Sequence, residues 1–498
     1  MNILGISTGF HDAAVTAVSN GKIVFAGHSE RYSKLKHDPD LHPDLIKDAL
    51  EYAGSFDCIA YYEKPWLKRT RQLYAGQYKE AFKPHDLKAQ LQKVAPCAGL
   101  HNLPVKYFNH HLSHAAAGFQ TSPYTDATVV VIDAIGEWDT ISIWSAHYDE
   151  KGSGAQYKKL WGQRYPHSIG LMYSAFTKSA GLKPLDEEYI LMGMAGWGKY
   201  DSIADIRLRR SIIDSERDIT FQHNFHLGLP DEVIRPADDM NMANLAQELT
   251  EDLIGNIMIK ARDLGVSENL VYMGGVALNC LANRILGEYF DRIWIMPNPG
   301  DAGSSLGAAA LVYGGRLAWT DSYLGHDIAG SYPVKDILSE LATNKIVGVA
   351  SGRAEFGPRA LGNRSLLADP RGHEIKDQVN EIKRRQKFRP FAPAILAEVV
   401  DEYFDMPAGW LASDYMQVVA RCRHPDLFPA ICHIDGSSRV QTVPANGSGL
   451  RQLLEQWYMW TGCPMLLNTS LNIRGEPMVN DRADADRFEK LYGVRVLS

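Results

Sequence analysis

Three histidines fall within five residues in "FNHHLSHAAAGF", positions 108–119. His110 and His114 are spaced i,i+4, so a helix would point both the same way and send His111 elsewhere. Two neutral imidazoles on one face can act as a ligand pair for a divalent metal. A buried, hydrogen-bonded histidine pair has the same spacing, and spacing alone leaves both readings open. The zinc-protease pattern HExxH is absent because position 111 is His, so peptide hydrolysis is not expected. A metal needs further ligands. Asp133 ends the apolar run in "VVVIDAIGE", where packing gives a carboxylate no role. Asp301 follows "NPG" before a glycine-rich helix start, where it could instead be an N-cap. Two His with one or two Asp would suit Fe, Mn or Zn, with positions left for a phosphate oxygen.

Basic side chains form a second constellation. Lys383 and Arg389 flank "RRQKF", and Arg353, Arg359, Arg364 and Arg371 lie within twenty residues of one another. Arg439 and Arg474 follow, beside Ser and Asn. Guanidiniums at Gly and Pro turns suit bidentate capture of phosphate or carboxylate. The alternative is a solvated basic face, but these residues alternate with Phe, Leu and Ala and have few acidic neighbours. His11, in "GFHDAA", is either a structural histidine or, with Lys36, His37 and Asp38, part of a substrate pocket. Residues 61–93 hold eight Lys or Arg against three Asp or Glu, interleaved with Tyr61, Tyr62, Trp66, Tyr74, Tyr78 and Phe82. Base stacking with phosphate contacts would use that mix, although amphipathic helices with a solvated basic face are the plainer reading.

These residues need elements to place them. "NILGIS" and "AAVTAVSNGKIVFAGHSE" read as strands with Asn20-Gly21 as a hairpin turn. Residues 127–148 read as a buried strand, a turn containing Gly136 and a second strand. Residues 269–289 read as strand, Gly274-Gly275 turn and helix, and 292–314 repeat that plan. Backbone N–H groups at such turns can hold phosphate. Neither turn is a Walker A loop or a GxGxxG match. A linker and helix near 330–345, then a fresh strand, mark a domain boundary. The whole chain of 498 residues is long enough for two to three domains, and no short-period repeat stands out. Its net charge of −7 argues against coating nucleic acid through bulk charge. Six scattered cysteines without a CxxC pair read as reduced, mostly buried thiols. The N-terminus reads as a first strand without a secretory signal, and no apolar run approaches a membrane span of ~18 residues. A cytoplasmic protein that does not engage membranes is expected.

Taken together, the motifs resemble the O-carbamoyltransferases of antibiotic tailoring and nodulation-factor modification. The resemblance covers nearly the whole chain and rests on "GFHDAA", "SERYSKLKHD", "HHLSHAAAGF", "VIDAIGEWDT", "YPHSIGLMYSAFT", "MGGVALNCLAN" and "GDAGSSLGAA". Further along, "GRAEFGPRALGNRSLLADPR", "FRPFAPAIL", "HIDGSSRVQTV" and "LLNTSLNIRGEP" carry it. It implies an α/β (mixed α+β) protein. An actin-like ATPase (ASKHA) domain over 1–335 would resemble the tRNA threonylcarbamoyl-transfer enzyme, and a YrdC-like α/β domain would occupy 336–498. The second domain would convert carbamoyl phosphate and ATP to carbamoyl-adenylate. An acceptor hydroxyl would then take the carbamoyl group at a metal in the first domain.

Carried over by position, the resemblance makes His110, His114, Asp133 and Asp301 the metal ligands, with Fe(II) the first expectation and Mg or Mn the alternatives. His11 and Lys36 fall at the acceptor pocket, with His11 the candidate base and Lys383 and Arg389 the catalytic cations of the second domain. Arg359, Arg364, Lys383, Arg389, Arg439, Asn472 and Arg474 are expected around carbamoyl phosphate and the adenylate. Gly136, Gly274, Gly275, Asn279 and Gly303 are expected around ATP in the first domain.

The sequence departs from the family pattern at Ile190, where lysine is usual, at Gln386, where Glu is usual, and at Gly196-Trp197, in place of Pro-Tyr. Those changes leave the acceptor open. A sugar or natural-product hydroxyl is the family default, and a hydroxymethyl base in nucleic acid is the second candidate. A tRNA-modifying enzyme of the threonylcarbamoyl-adenosine type and an ATP-gated actin-like binding protein are the alternative functions. A homodimer is expected on fold analogy.

Overall fold

The computed structural model describes residues 1–83, 86–149, 154–233, 236–265 and 267–498. The first sheet contains β1 (Asn2–Ser7), β2 (Ala14–Ser19), β3 (Lys22–His28), β4 (Cys58–Tyr61) and β5 (Val105–Tyr107), in the order β3-β2-β1-β4-β5. β1 and β2 pair antiparallel, as do β2 and β3, whereas β4 runs parallel to β1 and β5 parallel to β4. Asn20 and Gly21 both have positive φ, 49° and 82°, which is the backbone that a two-residue hairpin between twisted strands requires.

A second sheet repeats the plan. β6 (Asp126–Ile132), β7 (Asp139–Tyr148) and β8 (Ala155–Arg164) form an antiparallel meander. After a small hairpin of β9 (Ile213–Ser215) and β10 (Thr220–Phe221), β11 (Asn269–Met273) joins parallel to β6, and β12 (Arg292–Trp294) parallel to β11. The order β12-β11-β6-β7-β8 mirrors the first sheet strand for strand. The two sheets thus duplicate one topology.

Between the sheets pack the helices His110–Thr121 and Ser304–Tyr313, both rich in Ala, Gly and Ser and almost wholly buried. Small side chains let the backbones approach. A Cβ at Gly307 would meet the Ser113 carbonyl oxygen at 1.8 Å, and one at Gly5 of β1 would meet that of Ser305 at 1.9 Å. The histidine helix is thus clamped between β6, β11 and its partner helix, which itself packs on β1.

The expected helix after Gly274-Gly275 is instead a pair of 3-10 segments, Gly275–Leu278 and Ala282–Glu288. Asparagine side chains compete here with the α-helical ladder. Asn279 Oδ1 accepts from the Ala282 N–H, and Asn283 Nδ2 donates to the carbonyls of Ala277 and Gln417.

Beyond β13 (Tyr323–Ile328) and the helix Val334–Asn344 come β14 (Ile346–Ala350), β15 (Gly352–Glu355), β16 (Arg364–Ala368), β17 (Ala392–Leu396), β18 (Phe404–Asp405), β19 (Val418–Cys422), β20 (Ser437–Val443), β21 (Met465–Ser470) and β22 (Val496–Leu497). β13 pairs with β15, and the others form a mixed sheet of order β18-β19-β20-β17-β21-β16-β14-β22. Ile328, Val334, Ile337 and Leu341 pack into the second core, so the division expected at 335/336 falls in the first turn of a helix belonging wholly to that core. The protein is therefore mixed α/β, as expected. All six cysteines are free, and only Cys97 is exposed. Among the described residues, no helix is long and apolar enough to cross a membrane.

One expected ligand has a different role. Arg364, on β16, is 0% exposed, and its guanidinium donates to the carbonyls of Asn480, Ser351, Gly352, Asn363 and His326. With all three guanidinium nitrogens engaged by carbonyls and the side chain fully buried, Arg364 lies out of reach of the cavity and ties β16 to the loops around it. Arg364→Ala would leave these acceptors unpaired around a cavity. We expect a loss of about 3 kcal/mol or more in urea unfolding, with little change in ligand affinity per folded molecule.

Candidate active site

His110 and His114 stand one turn apart at the start of their helix, whose N-cap Asn109 accepts from the Leu112 N–H. The Nε2 atom of His110 lies 3.1 Å from Asp133 Oδ2 and 3.2 Å from Asp301 Oδ1. His114 Nε2 lies 3.3 Å from each carboxylate, and the two Nε2 atoms are 3.1 Å apart. All four residues are buried. Four ligand atoms bonded to one cation at about 2.0–2.2 Å would be spaced by about 2.8–3.6 Å, so the quartet fits a single metal ion. Both Nδ1 atoms, by contrast, are buried without a hydrogen-bond partner. Burial lowers the pKa of His110, but the field of Asp301 and contacts with Asp133 outweigh it and raise the value well above the usual imidazole range. Burial would raise the Asp133 carboxyl, but the two histidines hold it well below its usual value. The carboxylates thus demand positive charge at this point.

Neighbouring groups orient the quartet. Asp133 sits just past β6, where its Oδ1 accepts from the N–H groups of Ala134 (2.8 Å) and Gly275 (3.3 Å), leaving Oδ2 to the histidines. Asp301 precedes the helix Ser304–Tyr313 but does not cap it, because its carboxylate turns to the imidazoles instead. Glu137 accepts from the N–H of His110 and Lys64 and from Asn109 Nδ2. His111 faces away, with its Nδ1 on Ser142 Oγ at 2.7 Å.

Beside the quartet runs a chain of charged groups. His11 Nε2 is 3.7 Å from the outer oxygen of Asp301, and His11 Nδ1 is 2.8 Å from Asp12 Oδ2. Asp12 also meets His37 Nδ1 at 2.7 Å, and His37 Nε2 lies 2.9 Å from Asp186, which pairs with Lys36. Burial lowers the His37 pKa, but the hydrogen bonds to Asp12 and Asp186 prevail and push it up to about 10. Asp12 and His37 both have positive φ (53° and 57°), a strained backbone for non-glycine residues of the kind found at functional sites.

Across from these groups stand the cations of the second domain. Arg359, Lys383, Arg385, Arg389, Arg439 and Arg474 face the same cavity of about 530 Å³ as His11, Lys36, Asp133 and Asp301. Lys383 Nζ is held by Ser470 and by both the carbonyl and the side-chain oxygen of Asn472. Arg389 lies 4.7 Å from the Tyr189 ring, and Arg474 pairs with Glu187 at 2.6 Å. Arg439 Nε is buried with no partner. Burial and then Arg439 lower the Arg359 pKa to about 9, and burial and neighbouring cations push Lys383 and Arg385 well down. Mutual repulsion of this size is relieved by a bound polyanion.

Two sequence-family profiles match this chain: the carbamoyltransferase N-terminus over residues 68–310 and the carbamoyltransferase C-terminus over 338–497. The chain belongs to the carbamoyltransferase family. It is 36% identical to the uncharacterized protein sll1178 of Synechocystis sp., over 98% of this chain and 94% of the relative. It is 30% identical to the nodulation protein NolNO of Sinorhizobium fredii, over 96% of this chain and 76% of the relative. It is 28% identical to the 3'-hydroxymethylcephem-O-carbamoyltransferase of Amycolatopsis lactamdurans, over 97% and 95%. Among solved structures, HypF of T. kodakarensis aligns with 63% of this chain and 48% of its own at 13% identity and a TM-score of 0.37.

In this carbamoyltransferase the cavity gathers most of the expected ligands but not all. Gly275 and Asn279 line it, whereas Gly136, Gly274 and Gly303 do not. Those three are close-packing positions instead. A Cβ at Gly136 would meet the His111 ring at 2.9 Å, at Gly274 the Ile132 carbonyl at 2.1 Å and at Gly303 the Asn298 carbonyl at 1.8 Å. Arg353 and Arg371 lie elsewhere, over Tyr52 and beside Asp369. The structure adds Asp12, Asp186, Tyr189 and Arg385 to the wall, and Glu63 behind the histidines.

Glu63 could have been found by the same signal as Asp133, a carboxylate just past a buried strand. Its Oε2 lies 3.8 Å from His110 Nδ1, and its other oxygen accepts from Lys68 Nζ at 2.8 Å. An anion there favours the His110 tautomer protonated at Nδ1, which leaves Nε2 free to ligate. We expect Glu63→Gln to weaken divalent-metal affinity by about 10- to 100-fold in a chelator competition, with unchanged circular dichroism.

Proposed function

We propose that this carbamoyltransferase is an ATP-dependent O-carbamoyltransferase that forms carbamoyl-adenylate beside its second-domain cations and passes the carbamoyl group to an acceptor hydroxyl beside His11. What supports this most directly is the shared cavity, with a cation cluster on one wall and a buried His–Asp quartet on the other. Water hydrolyses carbamoyl phosphate to carbamate and inorganic phosphate; a carbamate oxygen then bonds to the α-phosphorus of ATP as the bond from that phosphorus to the pyrophosphate oxygen breaks and pyrophosphate leaves. Arg359, Arg389 and Arg439 bind and orient the phosphates and offset the charge that builds during that displacement. Lys383, fixed by Ser470 and Asn472, adds a positioned point charge.

In the second step the acceptor hydroxyl attacks the carbamoyl carbon, the carbon–oxygen bond to AMP breaks, and His11 takes the hydroxyl proton. His11 suits that role because Asp12 holds its Nδ1 proton, and together with Asp301 raises its basicity against the lowering effect of burial. A divalent cation held by His110, His114, Asp133 and Asp301 would supply Lewis acidity, and two imidazoles with two carboxylates suit Fe(II) or Mn more than Mg. The named activity of the Amycolatopsis relative supports a hydroxyl acceptor. The test is incubation with carbamoyl phosphate, ATP and no threonine. Pyrophosphate release under those conditions supports the reading, and release that requires threonine and bicarbonate overturns it.

A further inference from the structure

Beyond Glu63 and its partner Lys68, the basic-aromatic stretch plays no part in the chemistry above. It folds into the helices Pro65–Tyr74, Tyr78–Ala81 and Leu87–Val94. Tyr61 and Tyr62 are buried in the first core, but the large rings that follow them are not. Trp66 is 54% exposed, Tyr74 69%, Tyr78 63% and Phe82 73%. Four large aromatic rings within seventeen residues are thus turned to solvent, and exposed apolar surface of that kind marks interaction sites. Arg69, Lys79 and Lys83 lie among them, exposed, and pair with no acidic side chain among the described residues. The net charge of the whole chain is −7, so this positive face is local.

The face is also wired to the active site. Lys68 Nζ sits 5.0 Å from the Phe10 ring, which is half exposed and 4.8 Å from the His11 ring on the cavity wall. Trp138, next to Glu137, donates to Thr70 Oγ1 and packs 5.5 Å from the Tyr74 ring.

We infer that this face docks a single strand of nucleic acid, and that the acceptor hydroxyl belongs to one of its bases; the second part rests on the carbamoyl-transfer reading above. Exposed rings can stack on bases only where those bases are unpaired, and unpaired cations match the backbone phosphates between them. A base released from stacking can turn into a cavity and present a hydroxymethyl group to His11, as base-modifying enzymes require. The hydroxymethyl oxygen then forms the new bond to the carbamoyl carbon, AMP leaves, and His11 takes the proton.

Binding is tested without chemistry. The full chain is titrated, by fluorescence anisotropy, into a fluorescein-labelled single-stranded oligonucleotide at several salt concentrations. We expect binding that weakens steeply with salt, a loss of about 10-fold for Tyr74→Ala or Tyr78→Ala, and a shallower salt dependence for the double variant Lys79→Glu/Lys83→Glu. Pyrophosphate release from ATP and carbamoyl phosphate is expected to stay at the wild-type level in all of them, so failure of this inference is separable from failure of the transfer reading. Absence of salt-sensitive binding, equal binding by the variants, or binding to anionic lipid vesicles but not to the strand would overturn docking. For the acceptor, mass spectrometry should show one added carbamoyl group on a strand containing 5-hydroxymethylcytosine; carbamoylation of the free nucleoside but not of the strand would overturn that half.

Discussion

We expect His110→Ala and His114→Ala each to abolish divalent-cation binding and to lower carbamoyl transfer about 10³-fold, while pyrophosphate release from ATP and carbamoyl phosphate continues. The separation follows from geometry. The quartet is buried on the first-domain wall of the cavity, and the cations proposed to hold phosphate come from the second domain. Either substitution removes a nitrogen that stands 3.1–3.3 Å from both carboxylates and leaves Asp133 and Asp301 facing each other with half their compensation gone. Metal content per chain and the two half-reactions, assayed separately, provide the check. Variants that kept both metal and full transfer would refute the assignment of the quartet.

Arg439→Ala gives the opposite pattern. We expect divalent-cation affinity to be unchanged, pyrophosphate release to fall by about 10²- to 10³-fold, and the ligand-free protein to be no less stable than wild type. Arg439 makes no side-chain hydrogen bond among the described residues, and its Nε is buried without a partner. Its charge depresses the pKa values of Arg359, Arg385 and Arg389, after burial itself. Removing it therefore breaks nothing in the empty protein and relieves repulsion, while the phosphates lose a cation. A thermal scan with and without ATP reads both effects at once: the ligand-free Tm holds or rises, and the increase caused by ATP shrinks. A fall in the ligand-free Tm would mean that Arg439 supports the fold.

The residues that were legible in the sequence have local signatures. The i,i+4 histidines declare a shared helix face, and Asp133 stands out as a carboxylate at the end of an apolar strand. Asp186 and Tyr189 carry no such mark. Asp186 lies in an irregular stretch just before the helix Glu188–Ala195 that carries Tyr189, and Asp186 reaches His37 across 149 positions. Arg364 was misread because an arginine within an arginine-rich run looks like its neighbours. Only the pairing of β16 between β14 and β21 shows that its side chain points into the core. The duplication of the first domain was hidden for a related reason. Both sheets need apolar strands, turns and small-residue helices, and many unrelated sequences provide those, so topology repeats without a recognisable sequence repeat.

The joint cavity has a kinetic consequence. Under the proposed mechanism, an adenylate formed beside the cations would already face the acceptor site across one cavity, so its transfer would need no second encounter from solution. The yield per ATP is then set by a race within the chamber between the acceptor and water, and little by diffusion outside it. An acceptor that fills the chamber also expels the competing water. Poor acceptors should therefore reveal themselves less by slow turnover than by futile consumption of ATP.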